Sequence, residues 1–281
     1  MIKQEDYSCQ LSEIDKKMAA LFNERLELCK KISESKKEKG QPICHDFGKA
    51  IDKIEESIDS ADSNIASYCS TFLHSVMEIS ASYQEMLLNG MKISYCDSKD
   101  PDSITIVKNN FPEAEPVKYD DYKSAYTSVE NGECDCAILP LTNSLSGEIG
   151  SILDLMYQGS LSINSVLSAP EDTEGNQSRY AVFSRVLDKN PIADKQKPKG
   201  FIITFTVKNE AGALASTLNI IGAHGYNMKS LRSRPLKGLA WKYYFYMEAE
   251  GDINTKDGRD MLQELSALCA DLKLIGSFID E

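Results

Sequence analysis

Residues Leu11–Lys39 read LSEIDKKMAALFNERLELCKKISESKKEK. Leu11, Ile14, Met18, Leu21, Phe22, Leu28, Cys29 and Ile32 recur at three- and four-residue steps, which places them in one apolar stripe on a single long helix. Gly40 and Pro42 end it. Nearly thirty residues at 1.5 Å each make a rod of about 45 Å. The helices that follow are a short one marked by Ile51, Ile54 and Ile58, and a long one marked by Ile65, Phe72, Leu73, Val76, Met77 and Leu87 that finishes near Asn89 and Gly90. Three such helices cannot close a compact bundle alone. The spacing therefore predicts an all-helical segment whose stripe is buried against a second copy of the chain, in a homodimer of interlocked long helices.

Beyond Met91 the pattern changes. Strand-like runs at Met91–Cys96 and Cys136–Leu139 alternate with helical stretches at Ser103–Asn110, Tyr122–Asn131 and Ser151–Tyr157. A further strand at Leu161–Leu167, a polar loop at Ala169–Asn176 and a strand at Arg179–Ser184 follow. This is a small α/β lobe with one layer of βα units. Pro191–Lys199 reads as a linker. After it come strand Phe201–Val207, helix Gly212–His224, strands Tyr226–Ser233 and Ala240–Glu250, helix Asp257–Cys269 and strand Leu272–Phe278. That βαββαβ order is the ferredoxin-like plan, α+β in class.

The formal net charge of -12 excludes nucleic acid as a partner, since phosphate binding needs a basic surface. An anionic metabolite remains admissible where Lys and Arg gather in one pocket. No apolar run is long enough to cross a bilayer, and Met1–Asp6 leads straight into a charged helix, so neither membrane insertion nor a secretory leader is expected. The eight cysteines are scattered, as reduced cytoplasmic thiols are. Cys134 and Cys136 are read as strand residues, because no second pair completes a metal site. With only three histidines, neither a metal centre nor any other cofactor is expected.

Arg25 and Lys36 stand eleven residues apart, which at 100° per residue closes three turns to within about 20°, so both point the same way. Ser80 and Gln84 lie one turn apart and share a face of the third helix. One reading joins them into a site for a small anion. The plainer one leaves Arg25 and Lys36 solvated and makes Ser80 and Gln84 interruptions in a core helix.

The run Ile14–Lys36, with Asp15, Glu24 and Arg25, followed by Gly40 and Pro42, resembles the opening of the all-helical chorismate mutases. Glu78–Leu88 resembles the end of their third helix. The resemblance implies that Arg25 binds a substrate carboxylate, that Lys36 and Gln84 donate to the ether oxygen of chorismate, and that Ser80 binds the substrate hydroxyl or a carboxylate. The rearrangement is concerted and needs neither a nucleophile nor a proton transfer. Donors fixed at the breaking C–O bond and cations that hold the dianion compact supply what it requires. Two positions depart from the family. Ser8 stands near where an arginine reaches across to the partner's site, and Lys49 is the cation available where the second helix carries another arginine, with His45 or Asp46 at the preceding acid. Lysine is the poorer bidentate partner for a carboxylate.

Ile138–Gly147 reads ILPLTNSLSG and Gln177–Arg185 reads QSRYAVFSR. Both resemble prephenate dehydratase motifs, which implies Asn143, Ser144, Ser178 and Arg179 as a dehydratase-like set on one half of a periplasmic-binding-like lobe. Thr142 stands where that family has glutamate, and Ser178 stands where it has threonine, keeping the hydroxyl that would help the ring hydroxyl leave. Cys96–Asp102 carries no glycine for a backbone approach to an anion. The family's second lobe, inserted between the strand near Val166 and the Ser178 motif, is represented only by a short loop.

Asn209–Ala215, NEAGALA, and Leu231–Pro235, LRSRP, resemble the two effector motifs of phenylalanine-regulated ACT domains. The resemblance implies helix amides freed by Gly212 facing a ligand carboxylate, Ala213 and Leu214 as an apolar wall, Asn227 at the amino group, and Ser233 and Arg234 completing the site. Arg232 stands where the family has glutamate. Alternatively, Gly212 and Ala213 serve only close packing of helix on sheet.

As a whole the chain resembles the bifunctional P-protein family. The implied organisation is a chorismate mutase at 1–90, a truncated dehydratase-like lobe at 91–190, a linker at 191–199 and an ACT domain at 200–281. The implied function is conversion of chorismate to prephenate in phenylalanine biosynthesis, with L-phenylalanine as effector, in a cytoplasmic homodimer or higher oligomer. The alternatives are a catalytically dead sensor of an aromatic amino acid and a fully bifunctional enzyme that also dehydrates prephenate.

Overall fold

The computed structural model describes residues 2–39, 63–97, 102–171, 175–186, 199–236 and 242–279. The helix expected at Ile51–Ile58, the helix stop at Gly40 and Pro42, Lys49, and all of the linker except Lys199 lie outside them. The chain divides into two compact units, residues 1–91 and 92–281.

In the first unit, α1 runs from Ile2 to Lys39 and α2 from Ser63 to Asn89. The first helix begins nine residues before its apolar repeat does, because Lys3, Gln4 and Glu5 are good helix formers that carry no periodicity. Phe22, Leu26, Cys29, Ser33 and Lys36 are its less exposed positions. At 100° per residue they fall within an 80° sector. Beside that sector lies a second apolar one, in which Leu21, Leu28 and Ile32 remain 64%, 59% and 45% exposed. One face of α1 is thus covered and its neighbour is bare.

The second unit contains β1 (Lys92–Cys96), α3 (Ser103–Asn110), β2 (Glu115–Tyr119), α4 (Tyr122–Glu130), β3 (Cys136–Asn143), β4 (Gly147–Glu148), α5 (Gly150–Gln158), β5 (Ser162–Ser168) and β6 (Ser178–Ser184). It continues with β7 (Lys199–Phe205), α6 (Ala213–Ala223), β8 (Asn227–Pro235), β9 (Tyr243–Glu250), α7 (Lys256–Leu268) and β10 (Leu272–Ile279). Side-chain caps start two of the helices. Asp121 accepts from the Ser124 amide at 2.9 Å, and Thr255 from the Gly258 amide at 3.0 Å, each satisfying an amide that the first turn leaves unpaired.

The α/β segment and the βαββαβ segment share one sheet, in the order β2-β1-β3-β6-β5-β10-β7-β9-β8, with β4 hanging on β3. The joint is the parallel contact of Gly276 with Ile163. Glycine is required there, since a Cβ at Gly276 would run into the carbonyl of Ile163. One apolar core crosses the joint, running from Leu139, Ile163 and Phe183 to Ile202, Tyr246 and Phe278. A second core, with Phe201, Phe205, Ile221 and Met261, lies under α6 and α7 on the other face of the C-terminal strands. The spacing gave no sign of β2, whose Pro116 argues against a central strand. Proline is tolerated at an edge, which is where β2 lies.

Candidate functional site

At the edge of the covered face of α1, Arg25, itself exposed, donates through Nε to the Ser80 Oγ of α2 at 3.0 Å. The Ser80 hydroxyl in turn donates to the Val76 carbonyl at 2.7 Å, so it meets the guanidinium with an oxygen lone pair. A guanidinium has five donors, and donation from Nε is compatible with gripping a carboxylate by the remaining edge. Lys36 and Gln84 are both half-buried, Lys36 three turns along α1 from Arg25 and Gln84 one turn along α2 from Ser80. The helices therefore join two of the expected residues directly and hold the other two on the matching stripes. Lys49 is among the residues not described. Ser8 is exposed on α1.

In the second unit the dehydratase-like residues meet at the ends of β3 and β6. Asn143 Nδ2 donates to Ser178 Oγ at 3.0 Å, and the Asn143 side-chain oxygen accepts from the amides of Leu145 and Ser146 at 2.9 and 3.2 Å. Ser144 Oγ accepts from the Gln177 amide at 3.0 Å. Each of these groups is spent on a neighbour in the same loop pair.

Arg179 does not face open solvent as a substrate anchor. Its guanidinium makes a two-pronged pair with Glu248 of β9, at 2.8 and 3.2 Å, and Glu248 is 1% exposed. The Tyr246 hydroxyl donates to the same carboxylate at 3.3 Å. A dianion could displace so buried and so well-paired a carboxylate only at the cost of leaving it uncompensated. Two further acids of the α/β segment are held from β8. Asp154 takes Arg234 at 2.7 and 3.0 Å and the Tyr244 hydroxyl at 2.8 Å, while Glu148 takes Arg232 and Ser230. Burial alone would push the Glu148 carboxyl up, but the Ser230 and Arg232 donors outweigh it and hold the pKa below the ordinary value.

The same pairs correct one expectation for the effector site. Ser233 and Arg234, expected to complete one site, do not share a face: successive strand residues point to opposite faces, and Arg234 points at Asp154, away from Ser233. It is a clamp on the α/β segment. Gly212 sits at φ 83 ahead of α6, a left-handed conformation that glycine adopts at little cost, and nothing lies within 4 Å of where its Cβ would be. Ala213 and Leu214 are half-buried, while Ser233 is exposed. Asn227 donates to Glu250 at 3.0 Å. A cleft of about 610 Å³ beside β9, lined by Tyr157, Lys208, Lys242 and Phe245 among others, contains none of the expected site residues. Among the described residues no group of three His, Cys, Asp or Glu side chains is arranged for a metal, and no helix is long and apolar enough to cross a membrane.

The partners Glu148, Asp154 and Glu248 were not singled out from the sequence. Their signal was present. A lone acid inside SILDLMY or YFYME cannot be buried without a cation or donors to meet it.

Comparison with known proteins fits this division. The prephenate dehydratase family model matches residues 103–170, the segment from α3 to the end of β5. The bifunctional chorismate mutase/prephenate dehydratase of Enterobacter agglomerans is 22% identical over 370 residues, covering 97% of this chain and 95% of the relative. That span exceeds the present 281 residues, so the relative carries stretches with no counterpart here. Among solved structures, the prephenate dehydratase of Streptococcus mutans superposes with a TM-score of 0.58 at 22% identity, over 68% of this chain and 98% of that one. That of Arthrobacter aurescens, in complex with L-Phe, gives 0.57 at 15%, over 67% and 89%. By sequence the chain is similar, nearly end to end, to the bifunctional chorismate mutase/prephenate dehydratases, and its residues 103–170 match the prephenate dehydratase model.

Proposed function

We propose that the chain is a chorismate mutase that converts chorismate to prephenate, with residues 200–281 acting as an ACT domain that answers to L-phenylalanine and residues 91–190 serving as a degenerate dehydratase lobe. The observation that carries the mutase reading is the 3.0 Å bond between Arg25 and Ser80, which unites two residues chosen from different helices. In the mechanism, Arg25 and Lys49 hold the carboxylates and Ser80 fixes the hydroxyl or a carboxylate. Lys36 and Gln84 donate to the ether oxygen as its bond to carbon breaks. Charge builds on that oxygen in the transition state, so donors already in place stabilise it without reorganising.

The degenerate-lobe reading rests on the Arg179–Glu248 pair, which occupies the arginine a dehydratase would present to prephenate. It counts against the fully bifunctional alternative. Phenylalanine as effector is supported by the relative seen in complex with L-Phe and by the open backbone at Gly212. The bare stripe on α1 supports a homodimer or a higher oligomer, and the free thiols among the described residues fit a cytoplasmic protein. The test is the loss of chorismate absorbance at high enzyme concentration, with and without phenylalanine. A flat trace in a folded sample refutes the enzyme reading.

A second reading has its own observation, namely Ser8 where the family carries an arginine. It makes the chain a non-catalytic sensor of an aromatic amino acid. Calorimetric binding of phenylalanine together with null kinetics would select it, and Ser8→Arg with Lys49→Arg would then restore no turnover.

A further inference from the structure

The hydroxyls of α2 behave as helix hydroxyls commonly do. Thr71, Ser75 and Ser80 fold back on the carbonyls of Ser67, Thr71 and Val76 at 2.9, 3.1 and 2.7 Å. Ser33 of α1 does not. It is only 2% exposed, and its Oγ is one of two buried side-chain polar atoms without a hydrogen-bond partner among the described residues. A buried hydroxyl left unpaired is costly, and such groups in a folded protein call for an explanation.

Its place on the helix supplies one. Taking Arg25 as zero, Lys36 lies at about 20°, Cys29 at about 40° and Ser33 at about 80° around the axis. Along the axis Ser33 is about 4.5 Å from Lys36 and about 12 Å from Arg25. The unpaired hydroxyl thus stands on the covered face of α1, beside one cation of the candidate mutase site and between the levels of both.

We infer that Ser33 is a further substrate-contacting residue of the mutase site, whose hydroxyl pairs with a carboxylate or hydroxyl oxygen of the bound dianion. This rests on the mutase reading above. A neutral donor beside Lys36 adds direction to a contact that an ammonium group alone makes without preferred geometry. The empty valence is filled when the ligand arrives, so the hydroxyl contributes to binding and nothing to folding.

The experiment compares the full-length protein with Ser33→Ala in two measurements, chorismate turnover and calorimetric titration with an oxabicyclic dicarboxylate that mimics the rearrangement transition state. Thermal melting is the control. Alanine is a better helix former and removes an unpaired buried group, so the melting temperature stays the same or rises. The expected result is a fall of roughly tenfold in kcat/KM and in affinity for the mimic, the worth of one hydrogen bond. A variant equal to wild type in both overturns the inference and leaves the mutase reading intact. Wild type that neither turns over chorismate nor binds the mimic overturns both. Wild type that binds without turning over leaves Ser33 to be decided by affinity alone.

Discussion

The pair between Arg179 and Glu248 makes a quantitative prediction. Glu248 is 1% exposed, whereas the Arg179 side chain keeps 22% of its surface. Removing one member of a buried pair typically costs about 3–5 kcal/mol, because the survivor is left as an unpaired charge. Water reaches Arg179, which puts Glu248→Gln at the lower end, about 3 kcal/mol. Glutamine also keeps an acceptor for the Tyr246 hydroxyl, so the loss reports on the charge. In a unit of this size each kcal/mol moves the melting temperature by about 2–4 °C, which gives a fall of about 6–12 °C. Arg179→Met strands the buried carboxylate instead and should cost at least as much. The double variant leaves neither charge alone and should be no less stable than the worse single one, giving a coupling of at least about 3 kcal/mol in the cycle. Chemical denaturation of the three variants measures it. A loss below about 1 kcal/mol for Glu248→Gln, or a double variant that loses the sum of both, would refute the reasoning.

Three further outcomes are expected. Gly276→Val forces a side chain against the Ile163 carbonyl at the joint of the sheet; overpacking of this kind typically costs about 1–3 kcal/mol, and limited proteolysis should then open the chain between β6 and β7. Leu21→Glu with Leu28→Glu places charge on the bare stripe of α1; on the dimer proposed above, sedimentation should give a dimer for the wild type and a monomer for the variant. His224 is held by a hydrogen bond to Asp257 at 2.9 Å and lies 3.4 Å from Glu264, chiefly through Asp257 raising its pKa above the ordinary value. A raised pKa stabilises the fold when the imidazole is charged, so this contribution is complete below the unfolded value near 6.5 and is lost as pH climbs through the folded one. His224→Gln should flatten that part of the pH–stability profile, and an unchanged profile would show that the pair contributes nothing.

The helical periodicity of Leu11–Ile32 and the strand–helix alternation after Met91 were enough to place most elements, because each of those residues is fixed by its own local pattern. β2 escaped because an edge strand is short and tolerates Pro116. Spacing put Arg25 with Lys36 and Ser80 with Gln84 on one face of each helix, while the meeting of Arg25 with Ser80 was implied only by the resemblance to the helical mutases. The site was illegible where it depended on which distant residue fills a valence. Nothing local in QSRYAVFSR says that Arg179 meets an acid sixty-nine residues later, and nothing in LRSRP says which of its two arginines turns toward α5. Those facts belong to the sheet order, in which β10 joins β5 and carries β7, β9 and β8 alongside.

That order bears on regulation. In a lone βαββαβ domain the sheet face away from the helices would be open to water, but here Asp154 of α5 takes Arg234 and Tyr244, Tyr157 stacks on Tyr244 at 4.3 Å, and Lys273 donates to the Met156 carbonyl at 2.8 Å. The α/β segment has thus become the floor of the C-terminal sheet. Strand β8 carries Leu231 and Ser233 toward one face and Arg232 and Arg234 toward the other, where Glu148 and Asp154 pin them. A ligand at the effector site proposed for Gly212 and Ser233 would therefore act on a strand anchored from behind at two points. Rotation of one segment against the other would have to break two charge pairs and the Arg179–Glu248 lock together. On the effector reading proposed above, a ligand worth the usual coupling of about 1–3 kcal/mol would not supply that, so its effect would pass through the exposed edge of β8, by ordering it or by closing it against a second copy.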